Sequence, residues 1–265
     1  MPTTYTHDLF GRDVYRRLPA EMKQVIRRNG DLYRIGLHGP DILFYYMISK
    51  NPVSQYGVKM HHTPARAFFE QGTALVRSTG DEALLAYLLG FGCHYLLDSQ
   101  AHPFVNRMAR EGVVSHTMLE KEFDRKLMMD TGRNPYSYHP SDAVVPKYEY
   151  AKVIHRAIPA ISAQNIWISL HMMKFLTNRM VCDDGGRRRK IIHGIMRVAG
   201  KKTADTYAEY FMMPQPKEGI SLPLTRMQQI FDGAVRTAPE GLRKIYDAAL
   251  RGTPLSTLWD KTYSG

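Results

Sequence analysis

The stretch ALLAYLLGFGC, Ala83 to Cys93, is almost wholly apolar and runs straight into HYLLDSQAHPF, His94 to Phe104. That junction constrains the fold more than any other feature of the chain. A run this apolar belongs to a helix buried on all sides. His94, Asp98 and His102 then follow at steps of four. Each such step advances about 40° around a helix, so the three side chains leave from one face. A carboxylate buried alone is very costly, so Asp98 requires a cation, a metal or several donors. Asp81 is placed to cap this helix, and Pro103 disfavours helix at His102, so the sequence predicts an end there.

The rest of the chain also reads as helical. Apolar spacing and caps predict helices over 12–28, 40–49, 64–79 and 116–130, the last behind Ser115. Further helices are predicted over 147–158, 162–180, 188–200, 203–211, 225–236 and 239–251. A Pro- and Tyr-rich loop is expected over 131–146, and a linker over 213–223 with its three prolines. No run alternates as a strand would, and there is no internal repeat. The expectation is an all-α fold, one multi-helix domain over 1–265, with its polar cluster in the helical core.

Composition narrows the function classes. The formal net charge is +11, which draws phosphate, nucleic acid or an anionic membrane without choosing among them. RRRK, Arg187 to Lys190, follows Asp183-Asp184-Gly185-Gly186 and reads as a solvated loop. Two cysteines, Cys93 and Cys182, make no disulfide framework, and Cys93 reads as core. The start lacks a basic region followed by an apolar one, and no apolar run reaches the roughly 18 residues of a membrane span. A cytoplasmic location is therefore expected. There is no G-x-S-x-G elbow and no phosphate-cradling loop. Cys93 and His94 point about 100° apart on a helix, which argues against a dyad.

The chemistry that remains is metal binding. SHTMLEKEF puts His116 and Glu120 four apart on a second helix, and His-containing pairs on different helices can converge on metal in a bundle core. His7, His38, His61, His62, His94, His102 and His116 all precede residue 117. That crowding points to a multi-metal centre, and imidazole with carboxylate suits zinc with an open position. His139, His155, His171 and His193 lack a carboxylate at ligand spacing and read as structural. Asp124, in EKEFDRK, reads as part of a solvated, ion-paired face.

Four segments in order, GLHGPDILFYY, MHHTPARAFF, GFGCHYLLDSQAHPF and SHTMLEKEF, resemble the zinc-dependent phospholipase C family, whose general fold the single-strand-specific zinc nucleases share. The resemblance covers residues 1–130 by motif. It implies that Asp41, His61, His94 and Asp98 hold one zinc and that His102, His116 and Glu120 hold a second. It further implies a third zinc bridged by Asp98 with the help of His7, and makes Asp41 the candidate base for an attacking water. Here the step from Asp98 to the next histidine is four residues, two shorter than in the secreted enzymes. The N-terminal tryptophan those enzymes use at the third metal has no counterpart. His62 competes with His61 for one role, with His61 preferred from its offset to Phe68 and Phe69, and His38 is the reserve candidate beside Gly39-Pro40.

The implied activity is zinc-dependent hydrolysis of a phosphate ester, as by a phospholipase C-like phosphodiesterase, with phospholipid and peripheral membrane contact among its expected partners. Two alternatives stand beside it. One is a nuclease on single-stranded nucleic acid, for which Phe44, Tyr45 and Tyr46 could stack bases. The other is a non-catalytic, metal-stabilised binding protein.

Overall fold

The computed structural model describes residues 4–46, 51–180, 187–198, 200, 209, 211–212 and 216–265. Its elements are α1 (Thr4–Arg17), α2 (Ala20–Arg28), α3 (Gly30–Gly36), a 3-10 turn (Gly39–Tyr45), α4 (Pro52–His61), α5 (Arg66–Thr79), α6 (Glu82–Arg110) and α7 (His116–Asp130). They continue through α8 (Tyr148–Ala157), α9 (Ala163–Met180), α10 (Arg187–Val198), α11 (Ser221–Arg251) and a 3-10 turn at Thr257–Asp260. The fold is all-α, and no strand occurs among the described residues.

Helix α6 is the axis of the molecule. Every residue from Leu84 to Asp98 is buried, as an apolar run of this kind requires. Asp81 caps it by accepting a hydrogen bond from the Leu84 amide at 3.0 Å. Glycines let neighbours come close. A Cβ on Gly90 would sit 2.1 Å from the Tyr33 carbonyl oxygen, and one on Gly36 would sit 2.4 Å from that of Tyr87, so α3 and α6 touch backbone to backbone. On another side Gly92 faces Leu242 and Ile245 of α11.

Prolines were misleading guides to helix ends. Helix α6 continues through Pro103 to Arg110, and α11 continues through Pro239 where two helices were expected. A proline within a helix removes one hydrogen bond and costs roughly 3 kcal/mol, which continuous burial along both helices outweighs. Pro19 does interrupt: 12–28 is split between α1 and α2, with α1 starting earlier, at Thr4. Of the expected helix at 40–49, residues 40–45 lie in the tighter 3-10 turn and 47–49 fall outside the described residues; α4 was not foreseen, although Asn51 forms a capping box with Ser54 and Pro52 occupies the first helical position. RRRK is not a loop: Arg187, Arg188 and Lys190 lie in the first turn of α10. Nearly all of 203–211 lies outside the described residues, as do 213–215 of the expected linker.

Candidate metal centre

Five elements deliver titratable side chains to one place beside α6. That helix presents His94, Asp98 and His102; α7 presents His116 and Glu120; α1 brings His7, the 3-10 turn Asp41, and α4 ends on His61. Three sets have donor atoms within 4.8 Å of one another: His7, Asp41 and His94; His61, His94 and Asp98; and His102, His116 and Glu120. His94 Nε2 is 3.1 Å from Asp98 Oδ2, and His7 Nε2 is 3.3 Å from Asp98 Oδ1. His61 Nε2 is 3.0 Å from Asp41 Oδ1, and His116 Nε2 is 3.0 Å from Glu120 Oε1. His102 Nε2 stands between the sets, 3.4 Å from Glu120 and 3.8 Å from Asp98.

Three imidazoles are held from behind. Nδ1 of His61 donates to the Gly57 carbonyl at 2.8 Å, Nδ1 of His102 to the Tyr263 carbonyl at 2.9 Å, and Nδ1 of His116 to Asn106 Oδ1 at 3.0 Å. An acceptor on Nδ1 keeps a proton there, so Nε2 is the nitrogen that faces inward and can bind metal once it is deprotonated, which is how metal-binding histidines are oriented. Gly39 contributes by having no side chain. Its φ of 49° is left-handed, and the His94 ring fills the place a Cβ would take.

The electrostatics are those of a strongly coupled cluster. Burial would raise Asp98, but His102, His94 and His7 hold it well below the usual carboxylate range. Glu120 is also depressed against its burial, with nearby positive charge and the hydrogen bonds from His102 and His116 lowering it. Burial would lower His102, but Asp98 and Glu120 raise it to about 9. Asp41 is depressed and its partner His61 raised, each against the direction of burial, by the hydrogen bond between them.

The residues fit a metal. Nδ1 of His7 and both ring nitrogens of His94 are buried without a hydrogen-bond partner among the described residues. Leaving such atoms unpaired costs about 1–3 kcal/mol each. His94 Nε2 is close to Asp98 yet misaligned for a hydrogen bond, as two donors aimed at a common point would be. Neutral imidazole nitrogen and carboxylate oxygen are the donor set of zinc. A family model described as zinc dependent phospholipase C matches residues 6–166, well over half of the chain.

The chain belongs to the zinc-dependent phospholipase C family. No curated protein and no solved structure matches it. Membership makes it a zinc-dependent hydrolase in general terms, and the matched span contains every one of the eight clustered residues.

Within this family member the two reserve histidines part company. His62, one residue past the end of α4, is exposed and belongs to none of the close donor sets. His38 is 2 % exposed and lies near His7 and His94, but outside the close donor sets. Burial, reinforced by those two neighbours, pushes its pKa down to about 3, so it is a neutral imidazole with an unpartnered Nε2.

Sequence reasoning missed two residues that support the centre. Asp124 is buried, not solvated. It accepts from the amides of Tyr5 at 3.3 Å and Thr6 at 2.8 Å, and from the Thr6 hydroxyl, so a carboxylate on α7 caps the start of α1 one residue before His7. Burial pushes its pKa up to about 7, against those hydrogen bonds. The one sequence signal was its position, four residues after Glu120 on the same helix face. Tyr263, distant in sequence, gave none. Beside the donor sets, Leu97, Ala101, Phe123, Met227, Ile230 and Phe231 line an apolar pocket that also touches Asp98, His102 and Glu120.

Proposed function

We propose that this protein is a phospholipase C-like phosphodiesterase whose cluster holds two zinc ions and provides for a third. Asp41, His61, His94 and Asp98 hold one, and His102, His116 and Glu120 hold another. His7, beside Asp98, serves the third. The observation that carries the reading is the convergence of eight donor-bearing residues from five elements on one buried site, inside the span matched by the family.

When bound, closely spaced zinc ions neutralise phosphate oxygens and acidify a bound water. The chain supplies the rest. Asp41, Asp98 and Glu120 carry three negative charges against four from two zinc ions, so the loaded cluster stays net positive and attracts phosphate. Asp41 is the most accessible of these carboxylates, its side chain 15 % exposed against 7 % for Asp98 and 5 % for Glu120. It is the group best placed to take the proton of the attacking water.

Peripheral contact with a membrane belongs to the same reading. Helix α10 carries Arg187, Arg188, Lys190 and Arg197, no acidic residue, and exposed Ile191, Ile195 and Val198. No helix among the described residues is long and apolar enough to cross a membrane. A nuclease is the second reading, favoured by Phe44, which stacks on His61 with ring centroids 5.1 Å apart.

The test is a metal count on protein purified without chelator, with assays on a chromogenic phosphodiester, phospholipid vesicles and single-stranded DNA. Phospholipid turnover is expected to exceed DNA turnover, and the reverse ranking selects the nuclease. Asp41→Asn should keep most of the metal and lose activity by roughly 100- to 10,000-fold. Zinc-loaded protein inert on all three substrates would leave the non-catalytic binding protein.

A further inference from the structure

The residue that ties the histidines together lies far outside the matched span. Tyr263 is 1 % exposed and reaches three of the clustered histidines at once. Its amide donates to the His61 carbonyl at 3.3 Å. Its own carbonyl accepts from His102 Nδ1 at 2.9 Å. Its ring packs against His61 and His94, with centroids 5.1 Å and 5.9 Å away. The three histidines belong to two helices, α4 and α6.

We propose that Tyr263 is a positioning residue of the metal centre, and that residues 255–265 form a strap on which the centre's affinity for metal depends. The inference rests on the assignment of His61, His94 and His102 as ligands. Three physical points support it. His61 is the last residue of α4, where helix carbonyls lack an intrahelical partner, and the Tyr263 amide supplies one. That bond fixes where α4 ends and so where the His61 ring stands. The Tyr263 carbonyl keeps a proton on Nδ1 of His102, so Nε2, which faces Asp98 and Glu120, is the nitrogen that can bind metal. The ring packs beside both His61 and His94, whose own centroids are 6.0 Å apart, so neither imidazole can rotate toward it.

The strap is anchored independently of Tyr263. Trp259 is fully buried and stacks on Tyr95 with centroids 5.0 Å apart. The Tyr95 hydroxyl donates to the Leu258 carbonyl at 2.7 Å. Arg66 pairs with Asp260 and donates to the Ser256 carbonyl at 3.0 Å. The Ala65 amide donates to the Lys261 carbonyl at 3.2 Å. Shortening the chain to end at Lys261 therefore removes the histidine contacts and leaves these anchors in place. None of the strap falls within residues 6–166, so the matched span carries the donors while a segment outside it sets their geometry.

The experiment measures zinc affinity by competition with a chromophoric chelator, and the visible absorption of the cobalt-substituted protein as a report on ligand geometry. Four proteins are compared: the full chain, the chain ending at Lys261, Tyr263→Ala and Tyr263→Phe. The shortened chain should keep its helical circular dichroism, bind zinc about 10- to 100-fold more weakly, and show a shifted cobalt band. Tyr263→Ala keeps the backbone bonds and should fall between. Tyr263→Phe keeps ring and backbone and removes only a hydroxyl that has no hydrogen-bond partner among the described residues, so it should match the full chain in both readouts. A shortened chain with the affinity and cobalt band of the full chain overturns the proposal. If the shortened chain unfolds, Tyr263→Ala decides, and unchanged affinity there overturns it equally. A full chain that binds no zinc removes the ligand assignment, and the strap falls with it.

Discussion

Gly39→Ala tests whether the donors are held in a fixed arrangement. Gly39 has φ of 49°, and an added Cβ would lie 2.2 Å from Cδ2, 2.5 Å from Cγ and 2.8 Å from Nε2 of His94. Two effects separate cleanly. The left-handed backbone costs a non-glycine residue roughly 1–2 kcal/mol wherever it occurs. The second effect is local. Carbon contacts settle at about 3.5–4.0 Å, so the His94 ring must withdraw by more than about 1 Å. Metal–donor distances tolerate only about 0.2 Å, so a ring displaced that far no longer binds where it did. Gly80 provides the control, because it has φ of 67° and nothing within 4 Å of its missing Cβ. Gly80→Ala should lower the melting temperature by a few degrees, at about 2–4 °C per kcal/mol, and leave metal untouched. Gly39→Ala should show that backbone effect in metal-free protein together with roughly 1–3 kcal/mol more for displacing a buried ring, and, in addition, weaken zinc binding by at least the roughly 100-fold that loss of an outer partner can cause. Chelator competition and differential scanning calorimetry measure the two effects separately. If Gly39→Ala binds zinc as tightly as Gly80→Ala, His94 does not need its position and the ligand assignment is wrong.

Other outcomes follow from the same geometry. His62→Ala should leave metal content unchanged and alter stability by less than about 0.5 kcal/mol, as for an exposed side chain, while His61→Ala should lose zinc; equal loss in both would reverse their roles. Asp124→Ala removes the cap of α1, so unfolding in urea should report roughly 0.5–2 kcal/mol lost and the metal count should fall at the His7 site alone. A full metal complement in that variant would show that the start of α1 does not govern His7. His102 stands at about 9 in the metal-free protein, above its ordinary 6.5, so zinc uptake near pH 7.5 should release a proton. Calorimetry in buffers of different ionisation enthalpy would detect it, and heats independent of buffer would contradict it. Without metal, the stability His102 contributes is present below pH 6.5 and lost as pH rises through about 9, whereas that of Asp98 and Glu120, whose pKa values are depressed, is lost as pH falls.

What the sequence revealed and what it hid divide along a physical line. His94, Asp98 and His102, like His116 and Glu120, were visible as candidates because a helix converts a spacing of four into a shared face. The burial of α6 followed from its apolar run alone. His61 could be preferred over His62 only weakly, because the choice depends on where α4 ends, and that end is fixed partly by a hydrogen bond from residue 263. Asp124 was misread for a related reason. In sequence it sits among charges, as a solvent-facing carboxylate would, but the start of α1 packs over it and turns it into a cap. The prolines show the same limit from the other side, since local propensity at Pro103 and Pro239 was correct in sign and smaller than the packing it opposed. Tyr263 is the extreme case. Two of its contacts are made by backbone atoms that every residue but proline possesses, so no residue type there could have signalled them. A donor set carries its own chemistry in its side chains and can be recognised in a line of sequence. The groups that aim it act through main-chain hydrogen bonds and ring packing across the fold, and they become visible only in three dimensions.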